Sequence, residues 1–258
     1  MAHNQKAASN SGDVCPVCGG TGIEQYEEIV EGYSAPLKYG RECPRCRGKN
    51  RQEDRTGVPP QFYEADLQKF PFDSYKVNLD KLQQVVRSFV DNYGKWKEAG
   101  KGLYLWSKTP GSGKTFLSCC VAKSAMMKNN LKMRFITTPD YLAKVGDSYK
   151  RHQGSLDESQ IYRDCALLVL DDLGTQKNGD WQEQELFRLI NERLNTGCIT
   201  IFTANMAPEE LKIDNRTIDR IRKSSIVLQM PEESIRLKKA QEEQERFLEN
   251  IFQGGWKT

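Results

Sequence analysis

The sequence predicts an α/β fold: a parallel sheet sandwiched by helices and preceded by a small metal-binding domain. Three observations carry this. Short, continuously apolar runs alternate with segments of helical periodicity, the pattern of strands buried on both faces of a parallel sheet. A Gly-rich turn, Lys108-Thr-Pro-Gly-Ser-Gly-Lys-Thr115, links the first of these strands to a helix, and a later strand, within Leu167-Leu-Val-Leu-Asp-Asp-Leu-Gly174, ends in two carboxylates. Two Cys-x-x-Cys pairs, Cys15/Cys18 and Cys43/Cys46, lie ahead of the sheet.

The bulk properties bound the reading. A chain of 258 residues, 38% hydrophobic and 28% charged, has room for one sizeable core and an appendage. Its net charge of +3 is too slight to speak for or against nucleic acid. No apolar run approaches the roughly 20 residues of a membrane-spanning helix. Met1 to Asp13 is polar and lacks the apolar centre of a signal peptide, so a cytoplasmic protein without a membrane partner is expected. Apart from the two pairs, Cys119, Cys120, Cys165 and Cys198 are scattered through apolar or helical stretches, which fits a reducing compartment better than a disulfide framework.

Taken in order, the N-terminal residues are small and polar, and the cysteine module extends to about residue 55. Gly57-Val-Pro-Pro60 breaks the chain, since a residue before proline is pushed out of helix. The domain boundary is placed there, giving 1–57 as a zinc-binding domain and 58–258 as the α/β domain. From Asn78 to Tyr93, apolar residues at intervals of three and four predict a helix. Leu103–Trp106 is the strand entering the Gly-rich turn, and Lys114 to about Asn129 the helix leaving it. Met133–Thr137 predicts the second strand, with a helix from near Pro139. Ala166–Leu170 is the third strand, Gln182–Leu194 a helix, Cys198–Thr203 the fourth strand and Ile226–Met230 the fifth. The charged tail from Pro231 to Thr258 reads as helical to Gly254-Gly255 and is too short for a complete helical lid.

The chemistry concentrates in the turn and the acidic strand end. Gly111 and Gly113 let backbone N–H groups close on phosphate at a helix N-terminus, in a loop of Pro110, Gly111, Ser112, Gly113, Lys114, Thr115 and Phe116. Lys114 is the candidate ligand of the terminal phosphates, and Thr115 of magnesium. Lys108 stands where the full loop pattern has glycine, so a positive φ there would carry strain of about 1 kcal/mol or more. Asp171 and Asp172 leave a buried strand where ligands bind in open α/β folds. Asp171 is the candidate magnesium ligand and Asp172 the group that polarises water; an acidic turn capping the next helix is the plainer alternative. His3 and His152 lie in polar surroundings and are expected to face solvent.

The order Gly111–Thr115, Asp171-Asp-Leu-Gly174, Phe202-Thr-Ala-Asn205, Ile218-Asp-Arg-Ile221 and Glu232-Glu-Ser-Ile-Arg236 resembles the AAA+ ATPases of the DnaC/DnaI helicase-loader group, to which the IstB transposition helpers also belong. The resemblance covers roughly residues 58–240. It implies an AAA+ P-loop sheet with a truncated lid, ATP and magnesium as cofactors, and Asn205 as the sensor I residue. It further implies Arg220 as an arginine finger completing a neighbour's site in a homo-oligomer, and Arg236 as the sensor II arginine. Arg216 and Arg222 lie near enough to Arg220 that spacing alone does not choose among them. The usual AAA+ acid pair is Asp-Glu whereas this chain has Asp-Asp, which with Lys108 suggests slow or partner-stimulated hydrolysis.

Two cysteines three apart in a tight turn aim both thiolates at one tetrahedral zinc, and two such knuckles supply four ligands, Cys15, Cys18, Cys43 and Cys46. A closed four-cysteine site is structural, contributing about 10–16 kcal/mol of apparent binding energy to a segment too small for a core of its own. Cys18-Gly-Gly-Thr-Gly22 also resembles DnaJ-type knuckles, a likeness of turns rather than of a domain. Arg41, Arg45, Arg47, Lys49, Arg51 and Arg55 around the second knuckle suit phosphates or form a solvated face. In the ATPase domain Lys144, Lys150 and Arg151, interleaved with Tyr141 and Tyr149, read as a charged helix surface or as a track for a single strand.

The resemblance implies an ATP-dependent loader, bacterial or phage, that grips a replicative DNA helicase through the zinc domain and delivers it to single-stranded DNA. Alternatives are an IstB-like transposition helper, and a zinc-bearing adaptor in which nucleotide acts only as a switch.

Overall fold

The computed structural model describes residues 17, 23–28, 37–43, 56–150, 158–175 and 179–252. The chain divides into two compact units between Thr56 and Gly57. Three of the four predicted zinc ligands, Cys15, Cys18 and Cys46, lie outside the described residues, as do His3, His152 and Arg151.

The first unit contains an antiparallel hairpin that sequence periodicity did not reveal: β1 (Ile23–Glu28) and β2 (Leu37–Glu42). Tyr26 and Tyr39 are directly opposed and stack at 5.7 Å, while Arg41 donates to its cross-strand partner Glu24 at 2.7 Å. Such facing pairs set the register of a short ribbon. Cys43, just past β2, is buried.

The second unit is built on five parallel strands, β3 (Gly102–Trp106), β4 (Met133–Thr137), β5 (Leu167–Leu173), β6 (Ile199–Ala204) and β7 (Ser225–Gln229), in the order β4-β5-β6-β3-β7. Alternate strand residues point to opposite faces, and each face is covered. Leu103, Leu105, Phe135, Leu167, Val169, Ile199 and Ile201 join one core with α1 (Asp80–Asp91) and α3 (Lys114–Asn129). Tyr104, Ile136, Leu168, Leu170 and Phe202 join the other with α4 (Thr138–Lys150), α6 (Asp180–Asn195) and α7 (Asn215–Ser224). Among the described residues the further α-helices are α2 (Tyr93–Glu98), α5 (Gln160–Asp164) and α8 (Ile235–Phe252). Among the described residues no helix is long and apolar enough to cross a membrane.

Two expectations need correction. Lys108 is not among the described residues with positive φ, so the missing loop glycine carries no left-handed strain. Tyr141, expected on a charged helix surface, is fully buried: it follows the Leu142/Val145 face of α4 into the core, and its hydroxyl donates to the buried Glu185 carboxylate at 2.7 Å. That leaves Lys144 and Tyr149 exposed, with Tyr149 set edge-on to Trp181.

Candidate functional site

The site forms at the carboxyl ends of three adjacent strands, β5, β6 and β3. After β3 the chain turns through the Gly-rich loop into α3. Gly111 (φ +78°) and Gly113 (φ +92°) occupy the left-handed region that glycine enters without a steric cost. Both are also closed in. A Cβ on Gly111 would lie 2.7 Å from Ser234 Oγ, and one on Gly113 2.7 Å from the Tyr75 hydroxyl. Tyr75 donates to the Ser112 carbonyl at 2.8 Å, so a residue upstream of the whole sheet pins the loop. Burial pushes the Tyr75 phenol well above its ordinary range, keeping it a neutral donor. Downstream, Arg236 N–H donates to Gly111 O at 3.3 Å, and Glu232 accepts from Lys108 N–H and from the Thr109 hydroxyl.

Lys114, the first residue of α3, is buried. Its ammonium donates to Ser107 O, Thr109 O and Ser112 Oγ at 3.2–3.3 Å, all uncharged acceptors. Burial lowers its pKa, against the opposing pull of Asp172, Glu232 and Asp171. Thr115 donates to the Asp171 carboxylate at 2.9 Å, joining the start of α3 to the end of β5. Asp171 is 4% exposed, and burial pushes its carboxyl up to about 6 despite hydrogen bonds from Thr203 and Thr115.

At this point β5 carries one extra residue. Leu170 pairs with Phe202 and Leu173 with Ala204, so Asp171 and Asp172 together face Thr203. Asp172 takes φ +55°, a conformation that aspartate tolerates better than most side chains. The kink directs Asp172 into a cavity of about 460 Å³ that is also lined by Pro110, Gly111, Ser112, Gly113, Lys114, Thr115, Phe116, Asn205 and Arg236. Gln61, Phe62, Pro71 and Ile235 line it too. The loop backbone, Lys114, Asp172, Asn205 and Arg236 make a polar wall, whereas Phe62, Pro71, Phe116 and Ile235 make an apolar one.

Residues 72–243 match the IstB-like ATP binding protein family. The chain belongs to this family. It is similar to the replicative helicase loader DnaI of Bacillus subtilis, 26% identical over 71% of this chain and 59% of DnaI. It is also similar to the replication initiator DnaA of Desulfotalea psychrophila, 27% identical over 43% of this chain and 23% of DnaA. The chain thus spans less than two thirds of these relatives. Among solved structures, the DnaC helicase loader superposes with a TM-score of 0.59 at 24% identity, covering 67% of this chain and all of DnaC's. DnaI does so with 0.57 at 22% identity, covering 67% and 94%. The fold of this IstB-like domain is therefore the AAA+ fold of the DnaC and DnaI structures.

Of the residues singled out from sequence, Lys114, Thr115, Asp172, Asn205 and Arg236 line one cavity, and the buried Asp171 stands behind Thr115, hydrogen-bonded to it. Arg220 is not among them. It lies on α7, with Nε donating to Asn191 at 2.6 Å, a second nitrogen donating to Arg216 O, and its guanidinium 4.5 Å from the Phe187 ring centroid. Arg216 is paired with Asp214, and Arg222 with Glu209. Sequence reasoning named Phe116 of the apolar wall but did not single out Thr203, Tyr75 or the other apolar residues. Thr203 sits inside the Phe202-Thr-Ala-Asn205 run already noted; Tyr75 and Phe62 carry no local signal, because they reach the loop only through the fold.

The cavity fits a nucleoside triphosphate with magnesium. Gly111, Ser112 and Gly113 bring loop backbone onto the cavity at the start of a helix, the oxygens of the Thr115–Asp171 pair are hard donors suited to magnesium, and the apolar wall suits a base.

Proposed function

We propose that this protein is an ATP-dependent helicase loader for DNA replication, which binds the replicative DNA helicase and delivers it to single-stranded DNA. The observation that carries the reading is the convergence of Lys114, Thr115–Asp171, Asp172, Asn205 and Arg236 on one cavity, in a chain similar to the loader DnaI over 71% of its length. A solved DnaA structure of the same fold, bound to AMPPCP and single-stranded DNA, adds support for a nucleotide-dependent role on DNA.

Within this reading Lys114 holds the terminal phosphates, and Thr115 and Asp171 hold magnesium, which neutralises charge on the phosphates when bound. Asp172 and Asn205 orient the attacking water, and Arg236 reaches the phosphates from the start of α8. Arg220, away from its own chain's cavity, completes the site of a neighbouring subunit in a homo-oligomer. Asp-Asp in place of Asp-Glu makes hydrolysis slow or partner-stimulated. Residues 1–57 form the zinc-bearing domain that grips the helicase, with zinc held by Cys15, Cys18, Cys43 and Cys46.

Native mass spectrometry with the replicative helicase, using the full chain and a chain lacking residues 1–57, tests the reading. A stoichiometric complex lost on truncation is expected, together with DNA-stimulated phosphate release abolished by Lys114→Ala. The family match favours one second reading, an IstB-like transposition helper. ATP-dependent assembly on DNA without any helicase complex would select it. Wild-type phosphate release no higher than that of Lys114→Ala would instead indicate a nucleotide-switched adaptor.

A further inference from the structure

We infer that Thr203 is a positioning residue of the ATP site, its single hydroxyl fixing both carboxylates at the end of β5. The inference rests on the ATPase reading above for its link to turnover, and on the bulge for its geometry. Thr203 is fully buried on β6. Its Oγ1 donates to Asp171 Oδ1 at 2.5 Å and accepts from Asp172 N–H at 3.0 Å. A hydroxyl has one proton to give and two lone pairs to receive, so both bonds are made at once.

The two bonds do different things. The first meets the Asp171 carboxylate at Oδ1, the oxygen to which the Thr115 hydroxyl also donates at 2.9 Å, while Thr138 donates to the Asp171 backbone carbonyl at 3.1 Å. Asp171 therefore has its carboxylate orientation set by hydroxyls from α3 and β6 and its backbone tied to α4. The second bond takes up the Asp172 N–H, which the extra residue has turned away from the β5–β6 ladder. That acceptor holds the bulge from the β6 side, as Thr175 does by donating to the Asp172 carbonyl at 2.8 Å, and the bulge is what aims Asp172 into the cavity.

A buried threonine in a strand is ordinarily a packing residue, and Thr200 in the same strand provides the comparison. Its hydroxyl accepts from Arg193 Nε at 2.9 Å and so serves helix α6. Thr203 differs in that both of its partners are the acidic residues themselves.

The test uses the full chain as wild type, Thr203→Val, Thr203→Ala, Thr203→Ser and Thr200→Val. Valine keeps the shape and removes the hydroxyl; alanine removes the same hydroxyl with less bulk, should valine not fold; serine keeps the hydroxyl. Two quantities are measured: the magnesium concentration that half-saturates binding of a fluorescent ATP analogue, and the kcat and KM of ATP hydrolysis with DNA and helicase present. Loss of the hydroxyl is expected to raise the magnesium midpoint about 10- to 100-fold, as for other partners that orient metal ligands, and to lower kcat with little change in KM. Serine is expected to restore both. Thr200→Val is expected to lower the melting temperature and leave the magnesium midpoint in place. A wild-type magnesium midpoint in folded Thr203→Val or Thr203→Ala overturns the proposal, as does a serine variant as impaired as alanine. Should the wild type bind magnesium and the analogue without turnover, the ATPase reading fails while the midpoint shift still decides the role of Thr203. A wild type that binds neither overturns both.

Discussion

Tyr75 and Gly113 show how one contact sets the phosphate loop. At φ +92° any L-residue at position 113 carries left-handed strain of about 1–2 kcal/mol, and its Cβ would also lie 2.7 Å from the Tyr75 hydroxyl. Gly113→Ala is therefore expected to destabilise by more than the strain alone. Tyr75→Phe, which removes only the donor to Ser112 O, is expected to cost about 0.5–1.5 kcal/mol. In the double variant the clash is gone and only the strain and the lost hydrogen bond remain, so the two costs should sum to less than the separate values. Urea unfolding of the four proteins measures this; strict additivity would mean that the tyrosine does not close the loop. The glycines themselves were legible, because the loop pattern demands them at fixed spacing. What touches them was not, since Tyr75 and Ser234 come from opposite ends of the domain sequence. Lys108 is the converse. Its departure from the pattern suggested strain, yet its backbone avoids positive φ, its N–H reaches Glu232 and its ammonium pairs with Glu210 at 2.8 Å.

The elements were legible wherever hydrophobic runs define them. The helix after the loop and the strand Met133–Thr137 fall at their predicted limits, because Gly113 and Asn130, both left-handed, bracket the helix and the strand is a clean apolar run. Strand β5 was read as ending at Leu170, where apolarity stops, but it continues to Leu173 because hydroxyls replace the lost apolar burial around Asp171. Helices α5 and α7 were too short for periodicity to mark them. The junction of α5, α6, β5 and β6 depends on Arg193, which is 1% exposed. It donates to the carbonyls of Tyr162, Arg163, Cys165 and Ile199 and to Thr200 Oγ1. Arg193→Met keeps the bulk and strips those acceptors of their donor. At about 1–3 kcal/mol for each buried group left unpaired, offset in part by removal of a buried cation, a loss of about 3 kcal/mol or more is expected. Because none of these groups lines the nucleotide cavity, ATP affinity of the folded fraction should stay at the wild-type value. A urea midpoint equal to wild type, or a weakened ATP affinity in folded protein, would contradict this account.

At the scale of the whole molecule, a single chain gathers the phosphate loop, Asp172, Asn205 and Arg236 around one cavity, with Asp171 behind Thr115, but leaves Arg220 away from it. Its guanidinium is nevertheless held in place by Asn191, the Arg216 carbonyl and the face of Phe187. A cation fixed in this way but spent on no carboxylate partner in those contacts suits a role at a neighbour's bound phosphates. If Arg220 acts across subunits, Arg220→Ala should bind ATP normally and lose about 10³-fold or more in turnover, the range in which arginine fingers contribute. Lys114→Ala should be equally inactive for a different reason, because its own cavity lacks the phosphate ligand while its Arg220 is intact. Mixing the two inactive variants is then the decisive measurement. Each interface that places a Lys114→Ala subunit's Arg220 beside an Arg220→Ala subunit's cavity is complete, so ATP hydrolysis should reappear in proportion to the number of such interfaces. Absence of recovery in a mixture that still assembles, or wild-type turnover by Arg220→Ala alone, would remove Arg220 from the reaction and with it the dependence of the site on a neighbouring chain.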